Sequence, residues 1–461
     1  MVSPNPLHTH RLTAANKTRT NNSNCEDRLV TTTFERERDR HLFDPGPKRL
    51  LALDGGGVRG AVTVAFLEQI ELVLRKHLGK EEVHLGDWFD LIGGTSTGSI
   101  IAGALALGYT TSDILRFYFD LAPKVFRRPF WRIMGLQAKF DADALRKEIE
   151  GIVHQLTLDT DKLITGLGVV TKRMDTGSPW ILSNNPRAPY WEWDKGRRLS
   201  NLVRASTAAP FYFDPEVITV DERTNETGLF VDGGVTPHNN PSLVLFMMTV
   251  LKAFNIDWAL GPDKLTIVSV GTGSHRDRVV PEELGMGRTA KLAIRALTSL
   301  MNDAQTFVLQ QMQYLGECPA PWTINSEIGS LVGDAPPHGK LFRYLRYDVR
   351  LELPWIEKEL GPRVEQEFGR KLTEDDVVRM RSMDDPTIIP DIYKLARIAA
   401  EIQVKPEHWV GELPRWCDGT HPSAKSRPRL PPMAPPAAPS ALAKALSRLR
   451  AHLARTSAPG R

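Results

Sequence analysis

Short apolar runs alternate with amphipathic segments in the first half of the chain. Residues 49–54 and 88–92 are apolar runs of strand length, and residues 61–76 between them repeat apolar side chains at helical spacing. This strand–helix–strand order predicts two parallel neighbouring strands. The same alternation continues downstream, so we expect an α/β domain with a mostly parallel sheet over residues 48–274.

The pattern becomes mainly helical after residue 275, and we interpret 275–423 as a second lobe packed on the first. Helical repeats in this region fall at 289–301, 302–315, 373–382 and 391–403, and one strand is predicted at 341–349. Residues 1–47 show neither the helical nor the strand period of apolar residues and are predicted to be disordered. Residues 424–439 are rich in proline and are predicted to form an extended linker.

The last stretch, residues 440–461, has the pattern of a basic amphipathic helix. Leucines recur at helical spacing, and most Lys and Arg side chains fall on the other positions. Such a helix can lie on an anionic membrane surface or against an acidic partner. It can equally dock on the rest of this chain, and the pattern does not decide between these interpretations.

Composition argues against a membrane-spanning, secreted or nucleic-acid-binding protein. The 461-residue chain is 41% hydrophobic, and none of its apolar runs reaches the roughly 18 residues that a membrane-spanning helix needs. The three cysteines are far apart, and the first thirty residues lack the apolar core of a signal peptide. We therefore expect a soluble, cytoplasmic protein. The net charge of +4 hides an acidic core, because residues 424–461 hold eight Lys/Arg and no Asp/Glu and residues 1–49 hold nine basic and six acidic groups, so nothing in the core indicates nucleic-acid binding.

The first candidate for chemistry is the sequence Gly94-Thr95-Ser96-Thr97-Gly98, which follows an apolar run. G-x-S-x-G between a strand and a helix is the pattern of a nucleophile elbow, which exposes the serine hydroxyl at a sharp turn. Ser96 would also lie at a helix N-terminus, where the helix dipole favours developing negative charge. The alternative is an ordinary Gly/Ser turn that leads into a helix.

The second candidate is the glycine loop Gly55–Gly60, which follows the first predicted strand. Gly55, Gly57 and Gly60 fit the dinucleotide pattern G-x-G-x-x-G, but the expected acidic residue at the end of the next strand is missing. We favour an oxyanion hole made by the backbone N–H groups of Gly56 and Gly57. The positive charge of Arg59 would add to it.

The third candidate is Asp232, which ends an apolar run and is followed by Gly233 and Gly234. A partly desolvated carboxylate near a hydroxyl can accept its proton, so Asp232 is the candidate base for Ser96. A turn-forming aspartate is the alternative. His238 could instead complete a Ser-Asp-His triad, but a loop running straight on from Asp232 is poorly placed to insert that ring, and we prefer the dyad.

Together, the three motifs resemble the patatin-like phospholipases. The loop Asp54–Gly60 is similar to the family's oxyanion motif, Gly94–Gly98 to its elbow and Asp232–Gly234 to its third motif, and Ala205–Pro210 is similar to the helix before that aspartate. The resemblance covers roughly residues 50–250. It implies a three-layer α/β/α sandwich, Ser96 as nucleophile, Asp232 as base, and Gly56, Gly57 and Arg59 as the oxyanion site.

We therefore expect a serine lipid acyl hydrolase of the phospholipase A type, which acts on phospholipids or related acyl esters. It would need no cofactor and no metal, because no cluster of Asp, Glu or His has ligand spacing. Membrane contact through 440–461 would be peripheral. The alternatives are a nucleotide-binding protein that uses the glycine loop, a transacylase on the same dyad, and a lipid-binding module whose dyad is vestigial.

Overall fold

Nine strands form one sheet within the described part of the chain, residues 36–126, 140–276 and 288–411 of the computed structural model. The strands are β1 Lys48–Leu53, β2 Leu91–Thr95, β3 Gly166–Arg173, β4 Ser178–Ser183, β5 Glu216–Asp221, β6 Glu226–Asp232, β7 Leu265–Val270, β8 Gly316–Ala320 and β9 Phe342–Tyr347. The helices are α1 Glu37–Phe43, α2 Gly60–Leu78, α3 Leu85–Trp88, α4 Thr97–Ala106, α5 Thr111–Val125, α6 Ala142–Val153, α7 Trp191–Asp194, α8 Leu199–Ser206, α9 Ser242–Val250, α10 Arg288–Leu315, α11 Leu353–Phe368, α12 Glu374–Met380 and α13 Ile389–Gln403.

The strand order is β5-β6-β3-β2-β1-β7-β9-β8, and β4 pairs with β3 off this path. The pairs from β3 through β2, β1, β7 and β9 to β8 are parallel, whereas β4, β5 and β6 pair antiparallel. The predicted parallel pair is confirmed, since Leu50 lies opposite Leu91. The second strand runs from 91 to 95 instead of 88–92, because Trp88 ends the short helix α3.

Two apolar cores, one on each face of the sheet, make the predicted three-layer α/β/α sandwich. On one face, buried side chains of α2, α4, α5, α6, α8 and α13 form the larger core. On the other face, side chains of α1, α9 and α10 pack with β1, β7 and β9 in the smaller core. Burial of these apolar faces is the main force that holds the helices on the sheet.

The region predicted as a second lobe packed on the first, residues 275–423, is mainly helical where it is described, and it also adds strands to the central sheet. β9 pairs with β7 in parallel, so the central sheet continues past residue 275, and α13 packs on α2. The two helices predicted at 289–301 and 302–315 are one continuous helix, α10. The spacing of apolar residues predicts whether a segment is a helix or a strand, but not which strand it lies next to. The pairing of β7 with β9 joins residues about 75 positions apart, which no local pattern reports.

The predictions for the two ends are tested only in part. Helix α1 lies inside the segment predicted to be disordered, and its residues Arg38, His41 and Leu42 are buried. It is held because the His41 ring contacts the buried Asp90 carboxylate, with 2.9 Å from Nδ1 to Oδ1. Residues 1–35 and 412–461, which include the predicted linker and the basic amphipathic helix, lie outside the described residues. Within the described ranges, no helix has both the length and the apolar character to cross a membrane.

Because α13 shares the larger core, we expect Ile392→Ala to destabilise the whole described domain. The Ile392 side chain is fully buried, and such truncations lower the free energy of unfolding by about 2–5 kcal/mol. Urea unfolding followed by both circular dichroism and tryptophan fluorescence should show one transition that moves as a unit. Val378→Ala on the exposed side of α12 is the control, with a change within about 0.5 kcal/mol. Two transitions, only one of them moved by Ile392→Ala, would contradict the shared core.

Candidate active site

Ser96 occupies the turn between β2 and α4, in the predicted elbow. Its backbone has φ 53° and ψ −126°, a conformation that non-glycine residues rarely adopt. The turn is held from both sides: the Ser96 N–H donates to Ser206 Oγ at 2.9 Å, and Ser99 Oγ donates to the Ser96 carbonyl at 2.6 Å. Strained backbone that its surroundings hold in place is typical of functional sites.

Gly98 lets the elbow lie against the end of β1. A Cβ built on Gly98 would lie 2.8 Å from the Asp54 carbonyl oxygen and would overlap the Leu53 carbonyl. Only a residue without a side chain permits this approach. The N-terminus of α4 and the start of the glycine loop are therefore in direct contact.

Ser96 and Asp232 meet beside one edge of β3, at its carboxyl end. Thr95, just before the serine, pairs with Val170, and the next residue of β3, Thr171, pairs with Asp232 on the same edge, because β4 occupies the other edge. The Ser96 side chain is close enough to the Asp232 carboxyl to lower its pKa, and the Gly234 N–H donates to Asp232 Oδ1 at 2.7 Å. The structure thus brings together the two residues that sequence analysis chose as nucleophile and base.

The Asp232 carboxyl is buried, with 4% of the residue exposed. Burial raises its pKa to about 6, because the charged form loses its hydration. The Ser96 side chain and the hydrogen bond from Gly234 act in the opposite direction and favour the charged form. A carboxyl with a pKa near 6 is charged at neutral pH and is a stronger base than an exposed aspartate.

The glycine loop lies beside Ser96. A Cβ built on Gly55 would be 3.1 Å from the Ser96 Cβ. Gly55 is fixed by its N–H, which donates to the Asn239 carbonyl at 3.1 Å, and by its own carbonyl, which accepts from Thr272 Oγ1 at 2.9 Å. Within the described residues, no acceptor binds the N–H groups of Gly56 and Gly57. Amides without an acceptor in the protein are what an oxyanion hole requires.

The other two predicted side chains are placed differently. Arg59 is mostly buried, and its Nη1 lies 3.4 Å from Nδ1 of His275, so its predicted contribution to the oxyanion site stays a prediction. The His238 ring makes no hydrogen bond to Ser96 or Asp232 within the described residues, and burial lowers its pKa. The carbonyl of His238 accepts from Thr95 Oγ1 at 2.6 Å. His238 thus supports the elbow through its backbone.

Comparison with known proteins agrees with this geometry. Residues 51–246 match the family model described as patatin-like phospholipase. This part of the chain, less than half of its length, is similar to the patatin-like phospholipases. The match includes the elbow, the glycine loop and Asp232, all of which lie at one edge of the sheet.

Several curated relatives have about the same degree of identity. A cGAMP-activated phospholipase of Escherichia coli is 31% identical over 239 residues, which cover 51% of this chain and 64% of that protein. Patatin-like protein 4 of Arabidopsis thaliana is 30% identical over 243 residues, 49% of this chain and 59% of that protein. The match therefore spans about three fifths of these relatives. VipD from Legionella pneumophila aligns with a TM-score of 0.28 at 14% identity, over 60% of this chain and 57% of VipD, a score too low to support an argument.

A buried ion-pair network under the patatin-like site was not foreseen from the sequence. Arg346 on β9 forms two hydrogen bonds to Asp54, at 3.0 and 2.7 Å, and a third to Asp348 at 2.8 Å. Asp54 is the first residue of the glycine motif, so this arginine anchors the loop. The sequence carries no signal for the pair, because Arg346 lies 292 positions away and outside the family match.

In the described part of the chain, no group of three or more His, Cys, Asp or Glu side chains is placed to hold a metal ion. The patatin-like site brings together a hydroxyl, a carboxylate and the N–H groups of the glycine loop. Ser206 and Asn239 support this set through hydrogen bonds to Ser96 and Gly55. Ser206 lies in a stretch that the resemblance already covered, whereas Asn239 had no motif to mark it.

We expect Asp232→Asn to stabilise the protein at pH 8. The folded-state pKa of about 6 lies above the ordinary value of 3.8, so the ionised carboxyl opposes folding once the pH exceeds both values. Two pKa units correspond to a gain on the order of 3 kcal/mol for a residue that cannot ionise. The gain should roughly halve at pH 5, where the native carboxyl is mostly protonated.

The measurement is the free energy of unfolding of both proteins in urea at pH 5 and pH 8. Asp221→Asn is the control, because the pKa of Asp221 is shifted in the opposite direction. Hydrogen bonds from Arg223 lower the pKa of Asp221 to about 2, so its removal should not stabilise the protein at pH 8. A gain for Asp232→Asn that is equal at both pH values would contradict a raised pKa.

Proposed function

We propose that this protein is a serine lipid acyl hydrolase of the phospholipase A type, which cleaves acyl esters of phospholipids. One observation carries the proposal: Ser96 and the buried Asp232 carboxyl meet at the carboxyl end of β3, beside the amides of Gly56 and Gly57, which have no acceptor within the described residues. A nucleophile, a base and an oxyanion site are the groups that acyl transfer needs. The family match supports a lipid ester as the substrate class.

The reaction has two halves. Asp232 takes the proton from Ser96 as Oγ bonds to the ester carbonyl carbon, and the carbonyl oxygen becomes an oxyanion near Gly56 and Gly57. Collapse of this intermediate breaks the bond between the carbonyl carbon and the alcohol oxygen, and Asp232 returns the proton to the leaving alcohol. Water then attacks the acyl-enzyme with Asp232 as base, which releases the fatty acid and restores the Ser96 hydroxyl.

The amides of the glycine loop stabilise the charge that develops during both halves. In other enzymes, removal of one such donor costs about 3–4 kcal/mol of transition-state stabilisation. The N-terminus of α4, directly after Ser96, adds a favourable dipole. These groups are already held in place in the structure, so little reorganisation is needed when the charge appears.

Two alternatives use the same residues. A transacylase would form the same acyl-enzyme and pass the acyl group to an alcohol instead of water, and only product analysis separates the two. A nucleotide-binding protein would use the glycine loop as a phosphate cradle. The contacts of Gly55 with Ser96, Asn239 and Thr272 favour the acyl-transfer reading, because this side of the loop packs on protein groups.

The Ser96→Ala variant tests the proposal. We expect turnover of phospholipid vesicles to fall by about 10⁶-fold, the loss seen for nucleophiles of comparable enzymes. The wild type should react with a fluorophosphonate probe, and the variant should not. The wild-type kcat/KM should rise with pH through about 6, because the base must be charged.

Ser178→Ala, at an exposed serine of β4, is the matched control and should retain full activity. Assays should be run with and without cGAMP, since one relative is named for activation by it. Lipid mass spectrometry of the products reports the acyl position and the acceptor. Ser96→Ala that keeps wild-type turnover would refute the proposal, and an acylated alcohol product would favour the transacylase.

The basic segment 440–461, which the structure does not describe, is proposed as a peripheral contact with anionic membranes. Deletion of these residues should weaken co-sedimentation with vesicles that contain anionic lipid and leave hydrolysis of a soluble ester unchanged. Vesicles of neutral lipid are the control, because electrostatic attraction is absent there. Equal binding of both proteins to anionic vesicles would remove this part of the proposal.

A further inference from the structure

The peptide unit between Gly57 and Val58 is held at both of its polar ends. Its carbonyl accepts a hydrogen bond from the Tyr118 hydroxyl, and its N–H donates to the Met383 carbonyl at 2.9 Å. The peptide lies directly after the two amides assigned to the oxyanion site. Gly57 itself is left-handed, with φ 59°, and a Cβ there would overlap the Met383 carbonyl. The loop conformation is therefore fixed by contacts with two residues outside its own motif.

Tyr118 connects the glycine loop to the nucleophile elbow. Its hydroxyl lies 2.6 Å from Thr97 Oγ1, the residue directly after Ser96. A phenol has one proton, which Tyr118 donates to Gly57, so Thr97 donates to the Tyr118 oxygen. Burial raises the pKa of Tyr118, and the hydroxyl stays protonated at any working pH. One buried oxygen thus sets the spacing between the loop and the elbow.

Met383 comes from the turn between α12 and α13, which lies outside residues 51–246. The turn is anchored by Arg381, whose Nε donates to the Leu351 carbonyl at 2.9 Å. It is followed by α13, which packs on α2, the helix that the glycine loop leads into. The C-terminal helices therefore reach the candidate oxyanion site through one backbone carbonyl.

We propose that Tyr118 and the Met383 carbonyl clamp the Gly57–Val58 peptide in one orientation and so keep the N–H groups of Gly56 and Gly57 directed at the oxyanion. This inference rests on the proposed acyl hydrolase function. Without the clamp, the peptide can rotate, because glycine gives almost no steric resistance to a change of its dihedral angles. An oxyanion donor acts only if it is aimed correctly before the charge forms. Tyr118 is a positioning residue, since it acts through Gly57.

The Tyr118→Phe variant of the full chain tests the clamp, because it removes one hydroxyl and keeps the ring. We expect kcat to fall at least 10-fold with KM within about 2-fold, since the loss falls on a charge present only in the transition state. The rate of inactivation by a fluorophosphonate should fall by a similar factor, because it needs the same donors. The acid limb of the pH profile near pH 6 should not move, since the contacts of Asp232 are unchanged.

The matched control is Tyr109→Phe. Tyr109 is also buried, and its hydroxyl donates to the Ile152 carbonyl at 3.1 Å, away from the glycine loop. Both variants lose a buried hydrogen bond, so their melting temperatures should fall by similar amounts. Only Tyr118→Phe should have a lower kcat than the wild type. Equal activities of the two variants, or a Tyr118→Phe kcat within 2-fold of wild type, would overturn the clamp.

A second variant tests the Met383 side and remains informative if Tyr118→Phe folds poorly. Arg381→Ala removes the anchor of the turn and should lower kcat severalfold at unchanged KM. Arg379→Ala, two residues earlier, removes only a surface ion pair with Asp391 and should leave kcat unchanged. If the two arginine variants have the same kcat, the turn does not position the loop, and the clamp is wrong.

Failure of the clamp differs from failure of the proposed function. If the clamp alone is wrong, Ser96→Ala is inactive while Tyr118→Phe and Arg381→Ala keep wild-type kcat. If Ser96→Ala keeps its activity, the acyl hydrolase proposal fails, and the clamp fails with it, because the loop then serves no oxyanion.

Discussion

The candidate site depends on the meeting of the Ser96 side chain and the buried Asp232 carboxyl at the carboxyl end of β3. They meet because β2 and β6 pair with consecutive parts of one edge of β3, β2 in parallel up to Val170 and β6 antiparallel from Thr171, while β4 occupies the other edge. Ser96 follows the last residue of β2, and Asp232 is the last residue of β6, so both chain ends meet at the same point. Ligand sites of open α/β sheets form at this carboxyl edge.

Several features of the site that lower the stability of the fold also favour the reaction proposed for it. A buried carboxylate is costly, and its raised pKa is the direct expression of that cost. Ser96 has a strained backbone, and Arg346 is buried between Asp54 and Asp348. Such buried ion pairs rarely add net stability, but removal of one partner is strongly destabilising. Natural sequences tend to break local rules at functional sites, and here the departures concentrate at one edge of the sheet.

The region beyond the family match is part of the same structural unit. β9 extends the sheet and brings Arg346 to Asp54, and the turn after α12 brings the Met383 carbonyl to Val58. The glycine loop is therefore supported from three directions: by β9 below it, by Tyr118 on α5 and by the C-terminal helices. A motif that is recognisable within seven residues is fixed in place by residues up to 325 positions away, because a glycine-rich loop has no side chains with which to hold itself.

The sequence by itself determined the α/β alternation, the elbow at Ser96, the glycine loop and Asp232, because each depends on local signals: apolar period, glycines that permit tight turns, and motif spacing. It did not determine how the C-terminal half joins the fold, since the pairing of β7 with β9 is a contact between distant residues. Nor did it show Tyr118, Met383, Asn239, Thr272 or Arg346. Tyr118 and Arg346 look like ordinary helix and strand residues along the chain, and Met383 contributes only a carbonyl that every residue has. Only the tertiary structure decided these roles, because they arise from where a hydroxyl, a guanidinium or a carbonyl lies relative to the loop.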